Sequence, residues 1–199
     1  MKNERYNFSQ IGHALLLLIG DDGCGKTSLI YRMVNGTFPT GNIPKLFGSY
    51  CANVQFGSSL INMEIWDSCN TQHNNSLCNP QTSCIILCFS ISNRDSFNRC
   101  LVNYQAEIQL NLPNTPVILV GTKADLYEDP IYIKDNLITN SEGVEMASKI
   151  NAVQYIETSA LSDINVMRVF EVASTVSINR KNNKQHDNTN GNKNKCIIN

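Results

Sequence analysis

Gly20-Asp21-Asp22-Gly23-Cys24-Gly25-Lys26-Thr27 follows the unbroken apolar run Ala14 to Ile19 and leads into Ser28 to Asn35, where Leu29, Ile30, Met33 and Val34 fall on one side of a helix. The spacing is that of G-x-x-x-x-G-K-[ST], and each fixed residue type has a physical task. Gly20 and Gly25 permit a tight loop, and the successive backbone N–H groups of Asp22, Gly23, Cys24, Gly25, Lys26, Thr27 and Ser28 form a concave cradle for phosphate oxygens. Lys26 sets a cation on the terminal phosphates, and the Thr27 hydroxyl completes a Mg²⁺ shell. The helix that follows adds its positive end to the same spot. Strand, loop and helix in that order are the context the motif needs. The plain alternative is a Gly-rich turn that merely joins two elements.

Outward from this loop the chain alternates between strand and helix. Ser49 to Phe56 and Leu60 to Trp66 are two runs joined by Gly57-Ser58-Ser59. In the second, Ile61, Met63 and Ile65 alternate with Asn62 and Glu64, which predicts a hairpin strand with one wetter face. Ser83 to Ser90 and Pro116 to Gly121 are apolar runs of buried-strand type, with a helix from Arg94 to Asn111 between them carrying Phe97, Leu101, Tyr104 and Ile108 on one stripe. Leu126 to Asn140 predicts an irregular surface insertion. A helix over Glu142 to Ile150, a short strand over Gln154 to Glu157 and a helix over Ile164 to Ser177 complete the order. The expected fold is α/β: a three-layer P-loop NTPase architecture, with a mostly parallel six-stranded sheet, helices on both faces and ligand loops at the carboxyl ends of the strands. The expected divisions are an extension over 1–12, one nucleotide-binding domain over 13–178 and a polar, unfolded tail over 179–199.

Composition narrows the partners. A formal net charge of -1 argues against a nucleic-acid binder, which normally carries a strong basic excess. The eight cysteines show no paired metal-ligand spacing, so reduced thiols in a cytoplasmic protein are the expectation. The apolar run at the start is too short to span a bilayer and lacks a cleavage pattern.

A phosphate loop leaves ATPases and nucleoside kinases open. The base is read elsewhere, and two further loops bear on it: Thr122-Lys123-Ala124-Asp125 after one strand and Glu157-Thr158-Ser159-Ala160 after another. With these, the chain resembles the small Ras-like GTPases of the Rho/Rac branch, whose base-reading loops are [NT]-K-x-D and E-x-S-A. The resemblance runs through nearly the whole chain, by way of Phe38-Pro39, Ile43-Pro44, Trp66-Asp67, Pro80-Gln81-Thr82 and Cys88-Phe89-Ser90. It implies that Asp125 accepts from the guanine ring N–H and amino group. Lys123 packs along the base, the Ala160 N–H meets the guanine oxygen, and Thr122 and Ser159 belong to the same site. It also implies GTP and GDP as ligands, Mg²⁺ held by Thr27 with Asp67 behind it, and a monomer acting through Rho-type effectors and regulators. Phe38 would lean on the guanine edge; its bland alternative is a core aromatic at the end of the first helix.

Several positions depart from that pattern. Lys45 stands where the resemblance calls for a metal-binding Thr, and a charged lysine cannot bind a metal. Asn70 and Thr71 occupy the Gly and Gln places after Asp67, so no catalytic residue is assigned unless a one-position shift brings Gln72 into register. Asp22 stands where a glycine is expected beside the β- and γ-phosphates. At ~5 Å and an effective dielectric of ~20, one like-charge pair costs on the order of 3 kcal/mol. Asp22 also fills space that a helper arginine needs. The expectation is a GTP/GDP switch with weakened hydrolysis. The alternatives are a working switch with harmless surface changes, and a scaffold with no useful turnover, nucleotide-bound or nucleotide-free. The chain ends Cys196-Ile197-Ile198-Asn199, a C-a-a-X pattern predicting prenylation of Cys196 and reversible attachment to a cytoplasmic membrane face, aided by Lys193 and Lys195 with Arg180, Lys181 and Lys184 farther off.

Overall fold

The computed structural model describes residues 10–41, 48–56, 59–68, 79–132 and 136–191. Six strands form one sheet in the order β2-β3-β1-β4-β5-β6. They are β1 (Gln10–Gly20), β2 (Gly48–Phe56), β3 (Ser59–Asp67), β4 (Cys84–Ser90), β5 (Val117–Thr122) and β6 (Gln154–Thr158). Only β2 runs antiparallel, paired with β3 from Gly48↔Asp67 to Phe56↔Ser59. The alternating β3 pattern places Ile61, Met63 and Ile65 in the core, as expected.

Strand alternation divides the apolar side chains into two cores. Along β1, Ala14, Leu16 and Leu18 pack with Leu29, Ile30, Val169 and Phe170, from α1 (Lys26–Asn35) and α5 (Val166–Gly191). Leu17 and Ile19 face the other way, toward Phe97 and Ile108 and toward Met146 of α4 (Asn140–Lys149). A central strand is therefore covered on both faces, which is why β4 is buried throughout and apolar up to Ser90. The strand order reverses around β1, so β1 and β4 open a crevice at their carboxyl ends, where the loop from Gly20 lies.

The structure moves several boundaries. β1 begins at Gln10, paired with Ser59, so Gln10, Ile11 and Gly12 belong to the sheet rather than to an extension. Val34 is 40% exposed and faces away from the α1 core. The helix expected over Arg94 to Asn111 is interrupted: α2 (Arg94–Arg99) passes through a π turn, Cys100–Tyr104, into α3 (Gln105–Asn111). Cys100 takes the core place predicted for Leu101, which is 39% exposed.

The stretch 126–140 is not merely a surface insertion. A 3₁₀ turn covers Ala124–Tyr127, Leu137 and Ile138 are buried, and Ile138 N–H donates to Ile91 O at 2.8 Å. The last helix also outruns the start expected for the unfolded tail at 179. Arg180 donates to Thr82 O at 2.9 Å and Lys181 to His13 O at 2.7 Å, fixing α5 against the sheet. Once a helix is nucleated, each added residue brings its own hydrogen bond, and α5 continues to Gly191. Two cations expected to favour a membrane surface are thus engaged within the fold.

Candidate functional site

The loop after β1 has its shape because side chains are missing at two places. A Cβ on Gly20 would lie 2.1 Å from Cys88 O, so only glycine lets the loop leave the sheet this close to β4. Gly25, at φ 105°, is the left-handed cap that starts α1. Lys26 is 5% exposed, and its Nζ donates to Gly20 O at 2.7 Å and Asp21 O at 2.8 Å, which stretches the cation across the loop.

Thr27 Oγ1 donates to Asp67 Oδ2. Burial raises the Asp67 carboxyl above its ordinary value, against the opposing pull of the Thr27 hydrogen bond and the Lys26 charge; the Asp22 charge adds to the rise. Asp67 is 1% exposed and its Oδ1 has no hydrogen-bond partner among the described residues. A buried carboxylate with one oxygen unmatched, beside a hydroxyl and next to a phosphate cradle, is the donor set Mg²⁺ takes when phosphates and waters supply the other ligands. No group of three or more His, Cys, Asp or Glu side chains suited to a metal occurs among the described residues, and this kind of site needs none.

A cavity of about 200 Å³ lies beside the loop, lined by Ser28, Phe38, Thr122, Lys123, Asp125 and Ala160 together with Gly25, Leu29, Thr158 and Leu161. All the residues assigned to base recognition are brought here except Ser159, which stands behind the wall. Its Oγ donates to Asp125 Oδ1 and so fixes the carboxylate. Thr122 lines the cavity and also braces it. Its buried Oγ1 lies between Cys24 O and Phe89 O, tying the phosphate loop to β4 and β5. Lys123, at φ 63°, donates to Gly23 O at 2.8 Å, so the loop after β5 also grips the phosphate loop. Leu29, Thr158 and Leu161 went unrecognised because nothing in their type marks them; only their proximity to assigned residues does.

On the other side of the loop a cavity of about 540 Å³ is lined by Asp21, Asp22, Arg99, Asn103, Tyr104 and Glu107, with Asn93. Asp22 is exposed there, turned outward as its charge requires. Asp21, given no role by sequence reasoning, is buried, and its carboxylate accepts from Arg99 Nε at 2.7 Å, from Arg99 Nη2 and from Tyr104 Oη at 3.0 Å. Burial alone would raise its pKa, but the hydrogen bonds from Arg99 and Tyr104 and the Arg99 charge bring it below the usual aspartate value. Lys45, Asn70, Thr71, Gln72 and Cys196 lie outside the described residues.

The Ras family profile matches residues 15–179, spanning the phosphate loop, the base cavity and most of the sheet. The chain belongs to the Ras family. Within it, the relatives point to the Rho branch. The chain is 32% identical over 192 residues to "GTP-binding protein RHO1" of Candida albicans, covering 92% of this chain and 94% of that protein. It is 31% identical over 193 residues to "GTP-binding protein Rho1" of Kluyveromyces lactis, covering 92% of this chain and 93% of the relative. The corresponding protein of Eremothecium gossypii gives the same figures. The sheet order and the phosphate loop of this Rho-type small GTPase accord with that membership. No helix among the described residues is long and apolar enough to cross a membrane.

Proposed function

We propose that this Rho-like small GTPase binds GTP and GDP as a molecular switch, hydrolyses GTP slowly, and works as a monomer held at a cytoplasmic membrane face by prenylated Cys196. The observation that carries the nucleotide assignment is the Asp125 carboxylate, fixed by Ser159 in the wall of a cavity continuous with Gly25 and Ser28. An ionised carboxylate is acceptor-only, so it suits the adjacent N–H donors of guanine and leaves adenine without a matching pair. Phe38 and Leu29 supply apolar contact for the ring, and Lys123 brings its stem beside the cavity while its ammonium holds Gly23 O.

The phosphates then fall on the N–H groups of 22–28, with Lys26 exchanging its carbonyl partners for phosphate oxygens. Thr27 and Asp67 are the residues that would hold Mg²⁺, which when bound screens phosphate charge. Slow hydrolysis is supported by Asp22, whose exposed carboxylate borders the loop, and by Lys45, Asn70 and Thr71 in the sequence. A Gln72 shifted by one position is the sole candidate for orienting water. Effectors and regulators of the Rho type are its expected protein partners.

Nucleotide extracted from the purified protein tests the reading. Mixed GDP and GTP supports the switch, and GTP alone supports blocked hydrolysis. An empty pocket supports the second reading, a scaffold without turnover, which Asp22 favours. Single-turnover hydrolysis at a rate normal for the family would reject the impairment. Asp125→Asn should cost the preference for guanine over other purines by ~10² or more, as a site does when its buried polar groups lose their match. An unchanged preference would overturn the base assignment.

A further inference from the structure

We propose that Arg99 and Tyr104 are positioning residues for nucleotide binding, acting through Asp21: together they clamp its carboxylate against the helix and thereby set where Lys26 waits. This rests on the reading of 20–27 as the phosphate site. Asp21 is the hinge between two sets of bonds. Its side chain accepts from Arg99 and Tyr104, while its carbonyl accepts from Lys26 Nζ at 2.8 Å and Cys24 N–H at 3.3 Å.

The π turn makes the convergence possible. Arg99 precedes it and Tyr104 closes it, so the residue it inserts swings Tyr104 onto the carboxylate that Arg99 already holds. π turns inside helices commonly mark functional positions. The clamp also disposes of a charge. Asp21 and Asp22 are adjacent, and an unclamped Asp21 carboxylate would be drawn to Lys26, the other cation whose charge acts on it, competing with phosphate for it.

This competition separates a positioning role from a structural one. Release of mant-GDP from the full chain with Mg²⁺ is followed by stopped flow, and each variant is also checked by thermal melting. Losing the charge-assisted bonds in Arg99→Ala should speed release about tenfold, with Tyr104→Phe about threefold and Arg99→Lys nearer wild type. Adding Asp21→Asn to Arg99→Ala removes the stray charge and should bring release back to within about threefold of wild type.

Release at the wild-type rate in Arg99→Ala, or faster release in the double variant than in Arg99→Ala, would overturn the clamp. If Arg99→Ala does not fold, Tyr104→Phe decides: faster release supports the clamp and an unchanged rate rejects it. A wild-type chain that takes up no mant-GDP at all would instead overturn the nucleotide assignment, and the clamp with it.

Discussion

Thr122 shows how one hydroxyl serves both recognition loops. Its single proton can go to Cys24 O, which pulls the phosphate loop onto the sheet, or to Phe89 O, which joins β5 to β4 beneath that loop. Thr122→Val keeps the shape and removes the donor, leaving a buried carbonyl unmatched. It should cost about 1–2 kcal/mol of stability, read by urea unfolding, and hasten nucleotide release. Gly143 makes the opposite case. In a helix, Gly→Ala ordinarily stabilises by about 1 kcal/mol. Here the new Cβ would lie 2.2 Å from the Tyr155 ring, which is held by β6 and by the Tyr155 hydroxyl bond to Glu157. Gly143→Ala should therefore lower stability by about 1–3 kcal/mol, as overpacking does, and a raised melting temperature would contradict that packing.

At the scale of elements, α4 begins with a reciprocal cap: Thr139 Oγ1 accepts from Glu142 N–H at 3.3 Å, and Glu142 accepts from Thr139 N–H at 2.8 Å. Arg94 of α2 joins the same carboxylate, linking two helices on one face of the sheet. The Arg94 hydrogen bond, then the Thr139 N–H, hold the Glu142 pKa down at about 2, against an ordinary 4.5. A depressed carboxyl adds stability above its unfolded pKa and loses it as pH falls through the folded one. Glu142→Gln should thus cost about 1 kcal/mol of stability at pH 7, read as a lowered melting point, once solvent screening of this half-exposed pair is counted. The gap to wild type should close between pH 4.5 and about 2. The alternating face of β3 and the phosphate loop were legible in sequence because strand period and glycine spacing are local. The π turn was not, since Phe97, Leu101, Tyr104 and Ile108 fit an uninterrupted helix equally well. What selects Cys100 over Leu101 is packing against Phe89 and Ile91 in the same core. For the same reason the Asp21 clamp was invisible: Arg99 and Asp21 lie 78 positions apart and meet only in the fold.

For the whole molecule, the meeting of the residues proposed for base and phosphate was readable because three short motifs converge in a sheet of this order, whereas the bonds that support them, from Ser159, Lys123 and Thr122, belong to the assembled structure. The proposed membrane attachment depends on sequence beyond the described residues. Cys196→Ser should release the protein from the membrane pellet into the supernatant on cell fractionation, and continued pelleting would count against the lipid anchor. α5 governs how such an attachment would be felt. Its bonds to Thr82, Ser83 and His13 lie at the amino ends of β4 and β1, the end of the sheet remote from Gly20 to Thr27. A tether pulling on the last helix would load that far rim through Arg180 and Lys181, leaving the nucleotide's doorway pointed outward, clear of the bilayer and open to any protein arriving from solution.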